Sequence, residues 1–137
     1  MKIWTLGAKV PDVDAEIAFI KAMGGSLVID DHIPYEGQVH RIPLLKWGDK
    51  YLHIGRQMVY EDKLTVPLQN GLCHVVFQVD DVEGLRDRAL QAGATEVAPI
   101  SRVIAGFGVR DVAFLRSPGG TLFELVRILE NRVPALP

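Results

Sequence analysis

The stretch Val79-Asp80-Asp81-Val82-Glu83 repeats the pattern of Val10-Pro11-Asp12-Val13-Asp14, which lies 69 positions earlier, and Gly93 follows it at the offset at which Gly24 follows the first copy. Each block is preceded by a short apolar run, Ile3 to Val10 and Cys73 to Val79. After it come apolar residues at helical spacing: Val13, Ile17 and Ile20 in the first copy, and Val82, Leu85, Ala89 and Ala92 in the second. Each unit therefore starts strand then helix. Asp12 and Asp81 stand where a carboxylate accepts from the free N–H groups of a first helical turn, and Gly24 and Gly93 where a left-handed residue ends a helix most cheaply. The spacing predicts helices over about 12–24 and 81–93.

Outward from each helix lie β-prone runs divided by turn residues. They are Ser26 to Ile29, Val39 to Trp47 and Lys50 to Ile54 in the first half, and Thr95 to Ile100, Val109 to Arg116 and Thr121 to Ile128 in the second. Each half then reads βαβββ, and the chain is expected to be an α+β protein of two tandem modules, about 1–55 and 72–130. Gly55 to Gly71 has no sustained period and reads as the connection, long enough for a crossing between packed units.

Composition agrees with one globular unit spanning 1–137: 48% hydrophobic and 23% charged residues can build a single sizeable core. A net charge of −2 with scattered basic residues lacks the electrostatic footprint of a nucleic-acid binder. No apolar run or cleavage site follows Lys2, so neither a membrane nor a secretory signal is read, and a cytoplasmic protein is expected. Cys73, the only cysteine, can form no internal disulfide and reads as a small core hydrophobe.

Strand parity selects the candidate site. In Cys73 to Val79, the residues Val75, Phe77 and Val79 suit the helix side, which sends His74, Val76 and Gln78 to the other face. In Leu122 to Val126, Phe123 and Leu125 take the helix side, and Glu124 points away with Leu122 and Val126. A carboxylate among such neighbours is costly unless it is paired, protonated or bound to a cation. The first half follows the same logic, with Leu52 and Ile54 toward the helix and Tyr51 and His53 away from it, so His53 is the counterpart of Glu124.

The paired modules, the His74 strand and the run Gly108 to Leu125, with its Ser117-Pro118-Gly119-Gly120-Thr121-Leu122-Phe123-Glu124-Leu125 ending, resemble the vicinal oxygen chelate superfamily of glyoxalases, methylmalonyl-CoA epimerases, extradiol dioxygenases and bleomycin resistance proteins. The resemblance implies a cupped, mostly antiparallel mixed sheet with helices on the outside, a small-molecule substrate and a symmetric homodimer. It also implies up to four ligands for a divalent metal ion (iron, manganese, zinc or nickel), at Thr5, His53, His74 and Glu124. Thr5 departs from that set, because a neutral hydroxyl is a poor ligand for these ions. His53, His74 and Glu124 remain, a set with open positions for substrate.

An ion so held can accept two neighbouring oxygens of a substrate and stabilise an enolate or oxyanion, which serves lyase, isomerase and ring-cleaving chemistry alike. A proton-transfer reaction also needs a base, a role left to Glu124 or to Glu36 on a loop with Tyr35, His40 and Arg41 that could close the cup. Thr5, Tyr51, Gln78 and Lys9 are candidate substrate contacts on the inner face, and Arg110 or Arg116 could hold an anionic substrate. Trp4 and Trp47 read as core or interface. The alternative from another class is a metal-free binding or resistance protein that sequesters a compound in the same cup.

Overall fold

A computed structural model of the chain describes residues 1–135. The first module runs β1 (Lys2–Lys9), α1 (Val13–Ala22), β2 (Ser26–Ile29), β3 (His32–Tyr35), β4 (Gln38–Arg41), β5 (Leu44–Trp47) and β6 (Lys50–Gly55). The second runs β7 (Gly71–Gln78), α2 (Val82–Gln91), β8 (Thr95–Ala105), β9 (Gly108–Arg116) and β10 (Leu122–Asn131). Both helices start where the punctuation places them: Asp12 accepts from the Ala15 N–H and Asp81 from the Gly84 N–H. Gly24 and Gly93 follow the helices at φ 92° and 102°, a conformation that costs glycine little.

Eight strands form one mixed sheet in the order β2-β5-β6-β1-β7-β10-β9-β8. The order is symmetric about the antiparallel β1–β7 pair, and the parallel pairs β1–β6 and β7–β10 flank it. Registers obey the same symmetry. Gly7 pairs with His74 and Thr5 with Val76, two pairs that exchange under the 69-residue offset. Gly7 also pairs with His53 as Val76 pairs with Glu124, so His53 and Glu124 occupy equivalent places in the two modules.

Strand parity sorts the side chains into three cores. Ile17 and Ile20 of α1 pack with Leu52 and Ile54 on one outer face. Val82 of α2 packs with Val79, Ala113 and Leu125 on the other. The inner face carries the largest cluster, including Trp4, Tyr51, Val76, Phe114, Leu122 and Val126. Each fully buried Ile or Leu in such a core contributes roughly 1.5–3 kcal/mol.

Curvature is enforced by one buried carboxylate. Asp31, 4% exposed, follows β2 at one sheet edge, yet it accepts from the N–H groups of Gly106 (2.8 Å) and Phe107 (3.0 Å), which follow β8 at the other edge. The two edges are brought together, and the sheet closes into a cup. Buried Val133 and a hydrogen bond from the Tyr51 hydroxyl to the Pro134 carbonyl dock the C-terminal segment near one end.

The expected strand Val39 to Trp47 is two strands. It breaks at Ile42-Pro43, where proline removes a ladder donor, and β4 leaves the main sheet to form a separate hairpin with β3. The tip residues Glu36 and Gly37 have φ 49° and 78°, the positive values that suit the twist of a two-residue hairpin turn. The expected loop around Tyr35 is therefore ordered β-structure, with Ile33 and Tyr35 buried in the inner core. Strand β8 continues five residues past Ile100 to Ala105, with irregular register around Pro99. The connection after β6 holds only the short 3₁₀ turn Glu61–Lys63.

Candidate functional site

The inner face encloses a cavity of about 50 Å³ whose walls are apolar (Trp4, Ile33, Met58, Phe107, Phe114, Val126) and whose polar groups are His53, His74, Arg110, Glu124 and Tyr60. For scale, an engineered apolar cavity of about 150 Å³ binds benzene. The space admits a group of a few heavy atoms, so a larger substrate must leave its remainder outside or displace a wall residue.

His74 and Glu124 meet in this cavity. Nε2 of His74 lies 3.8 Å from Oε2 of Glu124, with side-chain exposures of 6% and 14%. That separation is too long for a hydrogen bond and is within the roughly 4 Å that two ligands of one ion, each at about 2.0–2.2 Å from it, can span. On its other side, Nδ1 of His74 lies 2.8 Å from the Tyr60 hydroxyl, which settles the plane of the ring. The ring also rests against the backbone of Gly7: a Cβ built there would lie far inside van der Waals contact with three atoms of the imidazole. Burial pushes the Glu124 carboxyl up to about 8, only partly offset by Arg110, and pushes His74 down to about 4. The Tyr60 phenol is raised, chiefly by burial, and stays protonated.

His53 lines the same cavity but keeps different company. Its ring sits edge-on to Trp4 and Phe107, with centroids 5.6 and 5.9 Å away, and its buried Nε2 has no hydrogen-bond partner. Burial first, then the charges of His74 and Arg110, lower it to about 3. Among the described residues no group of three or more His, Cys, Asp or Glu side chains stands close enough to hold a metal ion. The structure thus brings together two of the three expected ligands and leaves His53 to one side.

Arg110 is fully buried and lines the cavity. Its guanidinium lies 5.0 Å from the Trp4 ring and 4.8 Å from that of Phe107, and desolvation lowers it to about 10.

The other expected contacts lie elsewhere. Thr5 is buried, but its hydroxyl donates to the Leu6 carbonyl at 3.2 Å. A register shift between Ile3 and Thr5 puts Trp4 into the cavity wall in its stead. Tyr51 spends its hydroxyl on Pro134, and Gln78 faces a separate cleft with Lys2, Lys50 and Asn131. Lys9 is bound to Glu61 at 2.6 Å. Glu36 is paired with Lys63 at the hairpin tip, away from the cavity, which leaves Glu124 as the one carboxylate lining it. Sequence reasoning missed Tyr60 and Gly7. A glycine within a β-strand was the available signal for the second; nothing marked the first.

A profile of the glyoxalase-like domain matches residues 5–126, so the chain belongs to that family, within the superfamily its motifs resemble. Among solved structures it is similar to methylmalonyl-CoA epimerase from Streptomyces coelicolor, in complex with 2-nitronate-propionyl-CoA, with TM-score 0.72, 22% identity and coverage of 95% of this chain and 99% of that one. The corresponding values are 0.66, 19%, 93% and 88% for the Mycobacterium tuberculosis epimerase, and 0.60, 14%, 91% and 97% for a glyoxalase/bleomycin resistance protein/dioxygenase superfamily member from Vibrio splendidus. At these identities the likeness is one of fold. A comparison with curated protein sequences finds no match. No helix among the described residues is long and apolar enough to cross a membrane.

Proposed function

We propose that this protein is a metal-dependent enzyme of lyase or isomerase type that acts on a small oxygen-rich substrate, with His74 and Glu124 as the ligand pair. The observation that carries this reading is the 3.8 Å approach of two buried donors, neither of which is bonded to the other. A nitrogen and a carboxylate oxygen suit borderline divalent ions, and a buried carboxyl only partly offset by Arg110 is the kind of group a cation stabilises. When bound, such an ion supplies polarisation of a substrate carbonyl or of two neighbouring oxygens.

The chain's own residues do the rest. Tyr60 holds His74 from behind: with the ring proton on Nδ1 and the phenol oxygen accepting it, the Nε2 lone pair is free. Trp4, Phe107 and Phe114 wall the cavity with apolar surface, a low-dielectric surrounding that strengthens each electrostatic contact inside it. His53, neutral at physiological pH, adds an imidazole with an unpartnered Nε2 to the cavity wall. The structural likeness to methylmalonyl-CoA epimerases favours proton-transfer chemistry. Ring-cleaving dioxygenase chemistry becomes the reading if the ion proves to be iron or manganese.

Elemental analysis of protein purified without chelator, beside His74→Ala and Glu124→Gln variants, tests this. Near-stoichiometric metal in the wild type that both variants lose is the expected result. Equal metal content in all three proteins would remove the assignment. The position of His53 outside the pair and the apolar walls favour one rival reading, a metal-free binding protein; an apolar ligand held equally well with and without chelator would select it.

A further inference from the structure

We propose that the substrate of this cavity is a small carboxylate anion, whose carboxylate is received by Nε of Arg110 and Nε2 of His53. This deepens the reading of the cavity as a substrate site and adds the chemical class that it takes.

Arg110 enters from β9 four residues before Phe114, the partner of Glu124 in the ladder. Its two terminal nitrogens are fully engaged, Nη1 with the carbonyls of Glu130 and Val109 (3.2 Å), Nη2 with the Phe107 carbonyl (3.0 Å) and Oδ1 of Asn131 (3.0 Å). All four acceptors are neutral. A guanidinium carries five N–H donors, and the fifth, on Nε, is buried without a partner. The cation is therefore buried with no carboxylate hydrogen-bonded to it, Glu124 and Asp31 acting on its charge only from a distance, and with one donor unused, a combination that a protein interior tolerates poorly unless a ligand completes it.

His53 carries the matching vacancy. Its Nε2 is also buried and unpartnered, and its ring shares with the guanidinium the same two flanking rings, Trp4 and Phe107. The residues that carry these two unpartnered atoms, one of them a fixed cation, line one small space with apolar walls. An oxyanion of a few heavy atoms satisfies both: one oxygen accepts from the Arg110 Nε–H, and the other accepts from His53 when its ring proton is on Nε2. The guanidinium is held in place before the ligand arrives, so little side-chain freedom is lost on binding. A neutral amide of the same shape can also meet both atoms, its NH₂ donating to an unprotonated His53 Nε2, but it brings no negative charge to the buried guanidinium.

The test is titration of the full chain with pyruvate and with pyruvamide, each in EDTA and again with zinc. Pyruvate is expected to bind at least tenfold more tightly than pyruvamide, and Arg110→Met to abolish that preference. The Arg110 side-chain Nε–H resonance of the wild type is expected to move on pyruvate addition, a readout that stands even if the variant does not fold. Equal binding of acid and amide, an unmoved Nε–H resonance, or a preference that survives in Arg110→Met would each overturn the proposal. Failure of zinc to bind while pyruvate is still preferred would sink the metal reading and leave this one standing. Zinc binding without that preference would do the reverse.

Discussion

The hydroxyl of Tyr60 lies 2.8 Å from Nδ1 of His74, so the connection between the modules, and not the sheet alone, orients the candidate ligand. Tyr60 is 1% exposed and packs on Phe114 with ring centroids 4.7 Å apart. Tyr60→Phe keeps that packing and removes one hydrogen bond. Stability should fall by about 1–3 kcal/mol, because the buried His74 Nδ1–H loses its acceptor, while divalent-ion affinity falls roughly 10- to 100-fold. Calorimetric titration with zinc beside urea unfolding separates the two, and unchanged affinity would show that Tyr60 does not position His74.

Gly7 makes a complementary prediction from the opposite side of the ring. Because a Cβ there would occupy the space of the His74 imidazole, Gly7→Ala must shift the histidine or the strand, at a cost of about 1–3 kcal/mol. Loss of metal with a folded circular dichroism spectrum is the expected outcome. A variant that binds metal as well as the wild type would place His74 elsewhere in solution.

Asp31 should matter to the site although it does not line it. Its carboxylate accepts from the N–H groups of His32, Gly106 and Phe107, and Phe107 walls the cavity beside His53 and Arg110. Asp31→Ala leaves buried donors unsatisfied, at about 1–3 kcal/mol each, and frees the two sheet edges from each other. A drop of several kcal/mol in urea unfolding is expected, with increased hydrogen exchange at Gly106 and Phe107. A drop below 1 kcal/mol would show that the cup closes without it.

The metal-free protein should be most stable near pH 6.5. The folded state keeps the Glu124 proton up to about 8, whereas the unfolded chain releases it near 4.5, so this contribution is full below 4.5 and is lost as pH rises toward 8. His53 and His74 act in the opposite sense. Their folded values of about 3 and about 4 lie below the ordinary 6.5, so their contribution is full above 6.5 and is lost as pH falls. Above 6.5 only the Glu124 slope remains, about 1.4 kcal/mol per pH unit for one proton. Urea midpoints of chelated protein between pH 6.5 and 8 should fall in the wild type and stay level in Glu124→Gln. A level wild-type profile would mean that Glu124 is solvated.

Much of the fold was legible because its signals are local. Asp12 and Gly24, then Asp81 and Gly93, bracket helices within a residue or two of where they lie, and parity alone assigned Leu52, Ile54, Phe77 and Leu125 to the outer cores. The β3–β4 hairpin was not legible. Val39 to Trp47 has the composition of one strand, and only the lost donor at Pro43 and the turn at Glu36-Gly37 show that half of it pairs elsewhere. Thr5 was placed at the right register, but a bulge, invisible in composition, turned Trp4 into the cavity in its stead.

By itself, then, the sequence determined the duplication, the strand-then-helix start of each module and the faces on which His53, His74 and Glu124 would lie. These follow from periodicity and capping, which act over a few residues. Only the tertiary structure decided that His74 and Glu124 approach each other while His53 stands with Trp4 and Phe107, that Tyr60 reaches His74, and that Asp31 joins opposite edges of the sheet. Such contacts join residues as far as 76 positions apart, Asp31 with Phe107, and depend on how the sheet curls, which no local pattern encodes.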